Sequence, residues 1–182
     1  MRVIAQNIAL KNRKEEKEQA LTHFQSISAT HCERVFKNSL LGLPGSDVPF
    51  TAPEVLQLLE SYRHIDRQQL QQHLYEFLRA ITPTAEEVGI QLAIHPDDPP
   101  YAVLGLPRIM NTSDDIKALL EAVPSVANGL CFCSGSYGAR SDNDVPQMLK
   151  QWGNRIYFLH LRNTQLDNNG NFMEANHLGG DT

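Results

Sequence analysis

Three short apolar runs, each stopped by a residue able to ligate a metal, constrain this chain more than any other feature. Ile90-Gln91-Leu92-Ala93-Ile94 runs into His95, Gly129-Leu130-Cys131-Phe132 into Cys133, and Arg155-Ile156-Tyr157-Phe158-Leu159 into His160. Two segments of helical pattern lie between them. The first covers 113–122 behind Thr112 or Ser113 as N-cap, and the second covers 144–152 with Pro146 in its first turn. Strands alternating with helices specify βαβ units and a parallel sheet. The expected strands lie near 90–95, 129–133 and 155–160, the first of them a buried strand. In such a sheet the carboxyl ends of all strands share one face, where catalytic groups collect. His95, Cys133 and His160 are therefore expected to converge, although a helix separates each from the next. Imidazole and thiolate suit Zn, Fe or Mn-type divalent ions. Taken singly, a strand-end histidine is satisfied by a backbone carbonyl, and a cysteine packs as a small hydrophobe. The repetition at three equivalent positions is what points to a metal.

The pattern changes period near residue 89. Residues 1–88 read as a mainly helical segment and residues 89–182 as the β-α-β-α-β part. In the first, 14–24 is charged and amphipathic, with Ala20, Leu21 and Phe24 on one side. Cys32, Val35, Phe36, Leu40 and Leu41 recur at helical spacing, and Leu43-Pro44-Gly45-Ser46 reads as a stop and turn. Thr51-Ala52-Pro53-Glu54 is a helix start, with Thr at the N-cap and Glu three residues on. Asp66 is placed to cap the next helix, whose apolar positions are Leu70, Leu74, Phe77, Leu78 and Ile81. Pro83 is expected to kink or restart that helix, and Gly89 to end it.

Charge and composition exclude several classes. Sixteen Lys and Arg stand against 21 Asp and Glu, a net charge of −5, so no domain-wide basic field exists for a phosphate backbone. No nucleic-acid partner is expected. The apolar runs are far too short to cross a bilayer, and no membrane partner is expected either. The N-terminus passes quickly into the charged run 11–17 without an h-region or cleavage signal, which predicts a cytoplasmic protein. Three cysteines suit free thiols or a metal ligand better than a disulfide framework. Cys131 and Cys133 are expected on opposite faces of their strand, leaving the strand-end Cys133 for the site.

The segments after the strands are polar. His95-Pro96-Asp97-Asp98-Pro99-Pro100 reads either as a rigid solvated loop or as a preorganised active-site loop. Cys133-Ser134-Gly135-Ser136-Tyr137-Gly138 is neither a P-loop nor a G-x-S-x-G elbow. Arg162, two residues past His160, reads as a clamp for a substrate carboxylate or as the partner of an Asp in a neighbouring loop. His23, His31, His64 and His73 sit on helices or at their ends and read as surface or packing residues.

These residues resemble mannonate dehydratase. The resemblance is carried by Ala93-Ile94-His95-Pro96-Asp97-Asp98-Pro99-Pro100, Gly105-Leu106-Pro107-Arg108-Ile109, the 133–138 segment with Arg140 and Asp142-Asn143-Asp144, and Arg155 through Arg162. Gly42-Leu43-Pro44-Gly45 and His64-Ile65-Asp66 extend it into the helical half. The resemblance implies an α/β fold, part of a TIM (β/α) barrel of the xylose-isomerase-like type. It implies a lyase that converts D-mannonate to 2-dehydro-3-deoxy-D-gluconate in glucuronate catabolism, with Mn²⁺ or Fe²⁺. The family's metal ligands fall on His95, Cys133 and His160, and Tyr137, Arg140 and Arg162 become candidates for orienting the sugar acid. Members of the family are longer, and an Arg-Pro-Asp-His-Gly motif that supplies a further ligand and a proton-transfer histidine would follow Thr182. No Asp-His dipeptide occurs in this sequence, so the catalytic acid–base residue has no counterpart here. Three strands stand where a barrel has eight. The alternative expectation is therefore a truncated, non-catalytic relative that acts at most as a metal-binding or interaction module. Self-association or a complementing chain would then cover its sheet edges.

Overall fold

The computed structural model describes residues 14–40, 50–168 and 170–182. They fall into two compact units, Met1–Ile65 with Leu104–Leu106, and Asp66–Val103 with Pro107–Thr182. The first unit is helical: α1 spans Lys14–Ser26, α2 Ala29–Leu40 and α3 Ala52–Ser61. Helix α3 begins where its first residues dictate. The Glu54 carboxylate accepts from the Thr51 amide and hydroxyl, both at 2.7 Å, and Pro53 occupies the first turn, where its missing N–H costs nothing. On α2, Cys32 is buried but Val35 is half exposed. Leu41 and the turn expected at 43–46 lie outside the described residues.

The second unit opens with α4, Arg67–Glu87. Its capping box is reciprocal: the Asp66 carboxylate accepts from the Gln69 amide at 2.8 Å, and the Gln69 side chain accepts from the Asp66 amide at 2.9 Å. Pro83 does not break this helix. Tyr75 and Leu78 before it, and Ala85 after it, are buried, so packing on both sides offsets the single hydrogen bond a proline removes. The helix buries Tyr75, Leu78, Thr82 and Ala85, whereas Phe77 points outward at 59% exposure. It ends in a Schellman motif, with Ile90 N–H on the Ala85 carbonyl at 2.8 Å, Gly89 N–H on Glu86 at 3.2 Å, and Gly89 at φ +71°.

Strand β1 (Leu92–Ile94), helix α5 (Ser113–Ala122), strand β2 (Asn128–Cys133), a short helix α6 (Ser134–Gly138), helix α7 (Val145–Trp152), a 3-10 turn (Gly153–Arg155) and strand β3 (Ile156–His160) follow in order. The sheet runs β1-β2-β3, both pairs parallel. The strands β4 (Thr164–Leu166) and β5 (Phe172–Glu174) form a separate antiparallel hairpin. Central β2 is buried throughout, but β1 is not the buried strand the apolar run suggested: Ala93 is exposed and Ile90, just outside it, is 56% exposed. As an edge strand it has a neighbour on one side only.

The core lies between sheet and helices. Leu130 and Phe132 of β2 pack with Leu78 of α4, Ile116 and Leu119 of α5 and Met148 of α7. Each such side chain contributes about 1.5–3 kcal/mol by leaving water. Ile94 of β1 and Ile156 of β3 pack against the same cluster, so this face of the sheet belongs to the helices and the other is free for the site. No described helix is long and apolar enough to cross a membrane.

Candidate metal centre

The carboxyl ends of the three parallel strands bring His95, Cys133 and His160 together, with one ligand atom from each within 4.8 Å of the others. Cys133 and His160 are direct partners in the β2–β3 register. His95 Nε2 and His160 Nδ1 stand 3.3 Å apart. His95 Nδ1 is 2.7 Å from the Pro96 carbonyl oxygen. A carbonyl only accepts, so Nδ1 carries the proton and Nε2 keeps its lone pair directed at the cluster, the tautomer a metal-binding imidazole needs. Cys133 is fully buried, and its sulfur accepts from the Ser136 amide at 3.4 Å and from the Ser136 hydroxyl at 3.1 Å. Two donors aimed at sulfur suit a thiolate ligand. Two imidazoles and one thiolate fit a borderline divalent ion, and the exposed histidines leave the centre open to solvent.

The supporting shell comes from the segments after each strand. Asp97 accepts from the amides of Ile109 and Met110 at 2.5 and 2.7 Å, which fixes the loop that follows His95. Asp98 pairs with Arg162 at 2.5 Å, and Arg162 also pairs with Glu174. The Arg162 hydrogen bond and charge hold the Glu174 carboxyl below its ordinary value. Arg162 Nη1 donates to Ser136 Oγ at 3.3 Å, so a relay of donors runs from the guanidinium through Ser136 to the Cys133 sulfur. The Arg162 stem lies over Gly135, where a Cβ would sit 2.5 Å from Cγ, which is why residue 135 has no side chain. Of the two readings of Arg162 from sequence, the structure shows the pairing with an Asp of a neighbouring loop.

Two residues expected to orient substrate are engaged within the protein itself. Tyr137 is a core residue, fully buried and stacked on Phe132 at 5.0 Å between centroids, because the segment after Cys133 folds into α6 instead of a polar loop. Burial pushes its phenol far above its ordinary value, and its hydroxyl has no partner among the described residues. Arg140 is held by a fork to Asp142, at 2.9 Å from Nε and 2.5 Å from Nη2. The cysteine pair also needs correction. Side chains alternate with a period of two, so Cys131 and Cys133 share a face. Leu130 and Phe132 join the helix-side cluster, and neither cysteine does. Burial, with a smaller contribution from Cys133, pushes the Cys131 thiol up. What separates the two is depth along the strand: Cys131 sits one step below the strand end, opposite Phe158. Sequence reasoning overlooked Ser136 and Glu174; the hydroxyl three residues after a strand-end cysteine was the available signal.

Because Arg140 donates to Asp142, the Asp142 carboxyl lies below its ordinary value of 3.8. A depressed carboxylate contributes its stabilisation above the unfolded-state pKa and loses it as pH falls through the folded value. The fork should therefore persist above pH 3.8 and open below it. An NMR titration of Asp142 checks this, with a midpoint under 3.8 in the wild type that rises in Arg140→Gln.

Residues 8–182 match the family model described as D-mannonate dehydratase (UxuA). The chain belongs to the mannonate dehydratase family. The mannonate dehydratase of Saccharophagus degradans is 43% identical over 176 residues, covering 97% of this chain and 44% of that protein. That of a Marinomonas species is 47% identical over 168 residues, covering 92% and 43%. The crystal structure of mannonate dehydratase from Streptococcus suis serotype 2 superposes with a TM-score of 0.66 at 40% identity, over 75% of this chain and 40% of that one. The chain thus spans less than half the length of these mannonate dehydratases.

Proposed function

We propose that this chain carries the metal-binding strand ends of a mannonate dehydratase, a hydro-lyase that removes water from D-mannonate to give 2-dehydro-3-deoxy-D-gluconate. The observation that supports it is the convergence of His95, Cys133 and His160 in a chain whose family bears that name. The reading takes β1-α5-β2-α7-β3 as consecutive units of a (β/α) barrel and places the protein in the cytoplasm. His95, Cys133 and His160 would hold Mn²⁺ or Fe²⁺. Such an ion supplies Lewis-acid stabilisation of the negative charge that develops when a sugar acid loses the proton next to its carboxylate.

The remaining roles belong to this chain's own groups. Pro96 orients the His95 ring through Nδ1, and Ser136 directs its hydroxyl at the Cys133 sulfur. Arg162 offers positive charge beside the cluster, where it orients the substrate's carboxylate by exchanging one of its two carboxylate partners, Asp98 or Glu174. Arg140 contributes to sugar-acid binding only after release from Asp142, and the reading assigns no acid–base residue to these 182 residues.

The open sheet favours a second reading, in which the chain binds metal and turns over only with further strands against it. On β3, Phe158 is 60% and Leu159 51% exposed, apolar surface of the kind another chain or a second copy covers. Incubating the chain with D-mannonate and Mn²⁺ and measuring the keto-deoxy acid formed separates the two. Product formation that stops on removal of the metal supports catalysis by this chain. Metal binding without product supports the second reading, and the absence of both overturns the proposal.

A further inference from the structure

We infer that Gly129 and Tyr157 are positioning residues for His160, acting through an irregularity in the strand pairing rather than by touching the site; this rests on the metal-site reading above. The register pairs Leu130 with Ile156 but Cys131 with Phe158, so Tyr157 is an extra residue in β3. Its consequence follows from alternation. Ile156 packs against the helix-side cluster, as its partner Leu130 does. His160 lies four residues later, and in an uninterrupted strand an even separation would turn it to that same helix side, away from Cys133. The bulge inverts the phase once, so that Ile156 stays in the core while Phe158 and His160 pair with Cys131 and Cys133.

The bulge is held by contacts at the start of β2. The Tyr157 ring lies across Gly129: a Cβ there would fall inside the contact distance of ring carbons Cδ2 and Cε2, and 2.7 Å from the Arg155 carbonyl oxygen. The Tyr157 hydroxyl donates to the Val126 carbonyl at 2.5 Å. Arg155 Nη2 donates to the carbonyls of Ser125 and Asn128 at 2.7 and 2.5 Å. Every one of these bonds lies at the opposite end of the strands from the ligand cluster, so none touches a metal or a substrate. Their effect on the site passes only through the phase of β3.

The test is a Co²⁺ titration of the 182-residue chain. The thiolate charge-transfer absorption reports Cys133, and the visible bands report the remaining ligands. Gly129→Ala should weaken Co²⁺ binding by about tenfold or more, the range seen when groups that orient ligands are lost. It should change the visible bands while the thiolate absorption remains. Tyr157→Ala, which removes packing instead of adding bulk, should also weaken binding, and it carries the test if Gly129→Ala does not fold. The double variant should bind no worse than Gly129→Ala alone, because both changes act through one contact. Wild-type affinity and bands in both single variants, with only a lowered melting temperature, would overturn the inference, as would strictly additive losses. A wild-type chain with no thiolate absorption would instead overturn the metal-site reading itself.

Discussion

Cys133→Ser and His160→Ala should each lower the chain's affinity for a divalent ion such as Mn²⁺ by about 100-fold or more, while Cys131→Ser should leave it unchanged. Losing a group that merely orients a ligand already costs about 10–100-fold, and removing the ligand costs at least as much. Serine at position 133 keeps the size but replaces a soft donor by a hydroxyl that stays protonated and binds borderline ions poorly. Cys131 shares the face but lies about 6–7 Å back along the strand, given a rise of about 3.3 Å per residue. Its partner across the sheet is Phe158, not His160. Isothermal titration calorimetry of the three variants decides the point, and equal losses from the two cysteine variants would contradict the placement.

Asp115→Ala should destabilise the protein by about 1–3 kcal/mol, the cost of leaving buried hydrogen-bonding groups without their partner. Asp115, in the first turn of α5, is 4% exposed. Its carboxylate accepts from the amides of Asn111 and Thr112 at 3.1 and 3.2 Å, from Gln71 at 3.4 Å, and from Arg67. Removing it leaves those amides without acceptors and the guanidinium of α4 without its counter-charge. The same change reaches the site. The segment it anchors continues from Ile109 and Met110, whose amides hold Asp97, two residues beyond His95. Urea denaturation is expected to show the loss in the midpoint, with weaker metal binding beside it. Asp115→Asn, which keeps one acceptor oxygen, should lose about half as much. A change under about 1 kcal/mol for Asp115→Ala would mean that water replaces these bonds without penalty.

The strand ends were legible because each apolar run stops abruptly at a ligand-type residue, and the helix starts because Thr51, Asp66, Thr112 and Asp144 are polar residues in front of helical patterns. What escaped the sequence depends on contacts between distant residues. The extra residue in β3 leaves no compositional trace, since Tyr157 is as good a strand residue as its neighbours. Tyr137 looked like a polar loop residue because Ser-Gly-Ser-Tyr-Gly has the composition of one. The Cys133 sulfur accepting the Ser136 amide starts a helical turn there, and the tyrosine then fills the core beside Phe132. Pro83 looked like a kink or a restart because its local cost is visible and the packing that offsets it is not. Asp115 was one acidic residue among several in a first turn, until the structure placed Arg67 and Gln71 against it.

X-ray absorption fine structure on the chain loaded with one equivalent of Zn²⁺ or Co²⁺ shows directly whether His95, Cys133 and His160 hold one divalent ion. The expected first shell holds one sulfur at about 2.3 Å and two imidazole nitrogens at about 2.0–2.1 Å for zinc, with the sulfur shell absent in Cys133→Ser. A first shell without sulfur in the wild type, or a sulfur shell that survives Cys133→Ser, would contradict that ligand set.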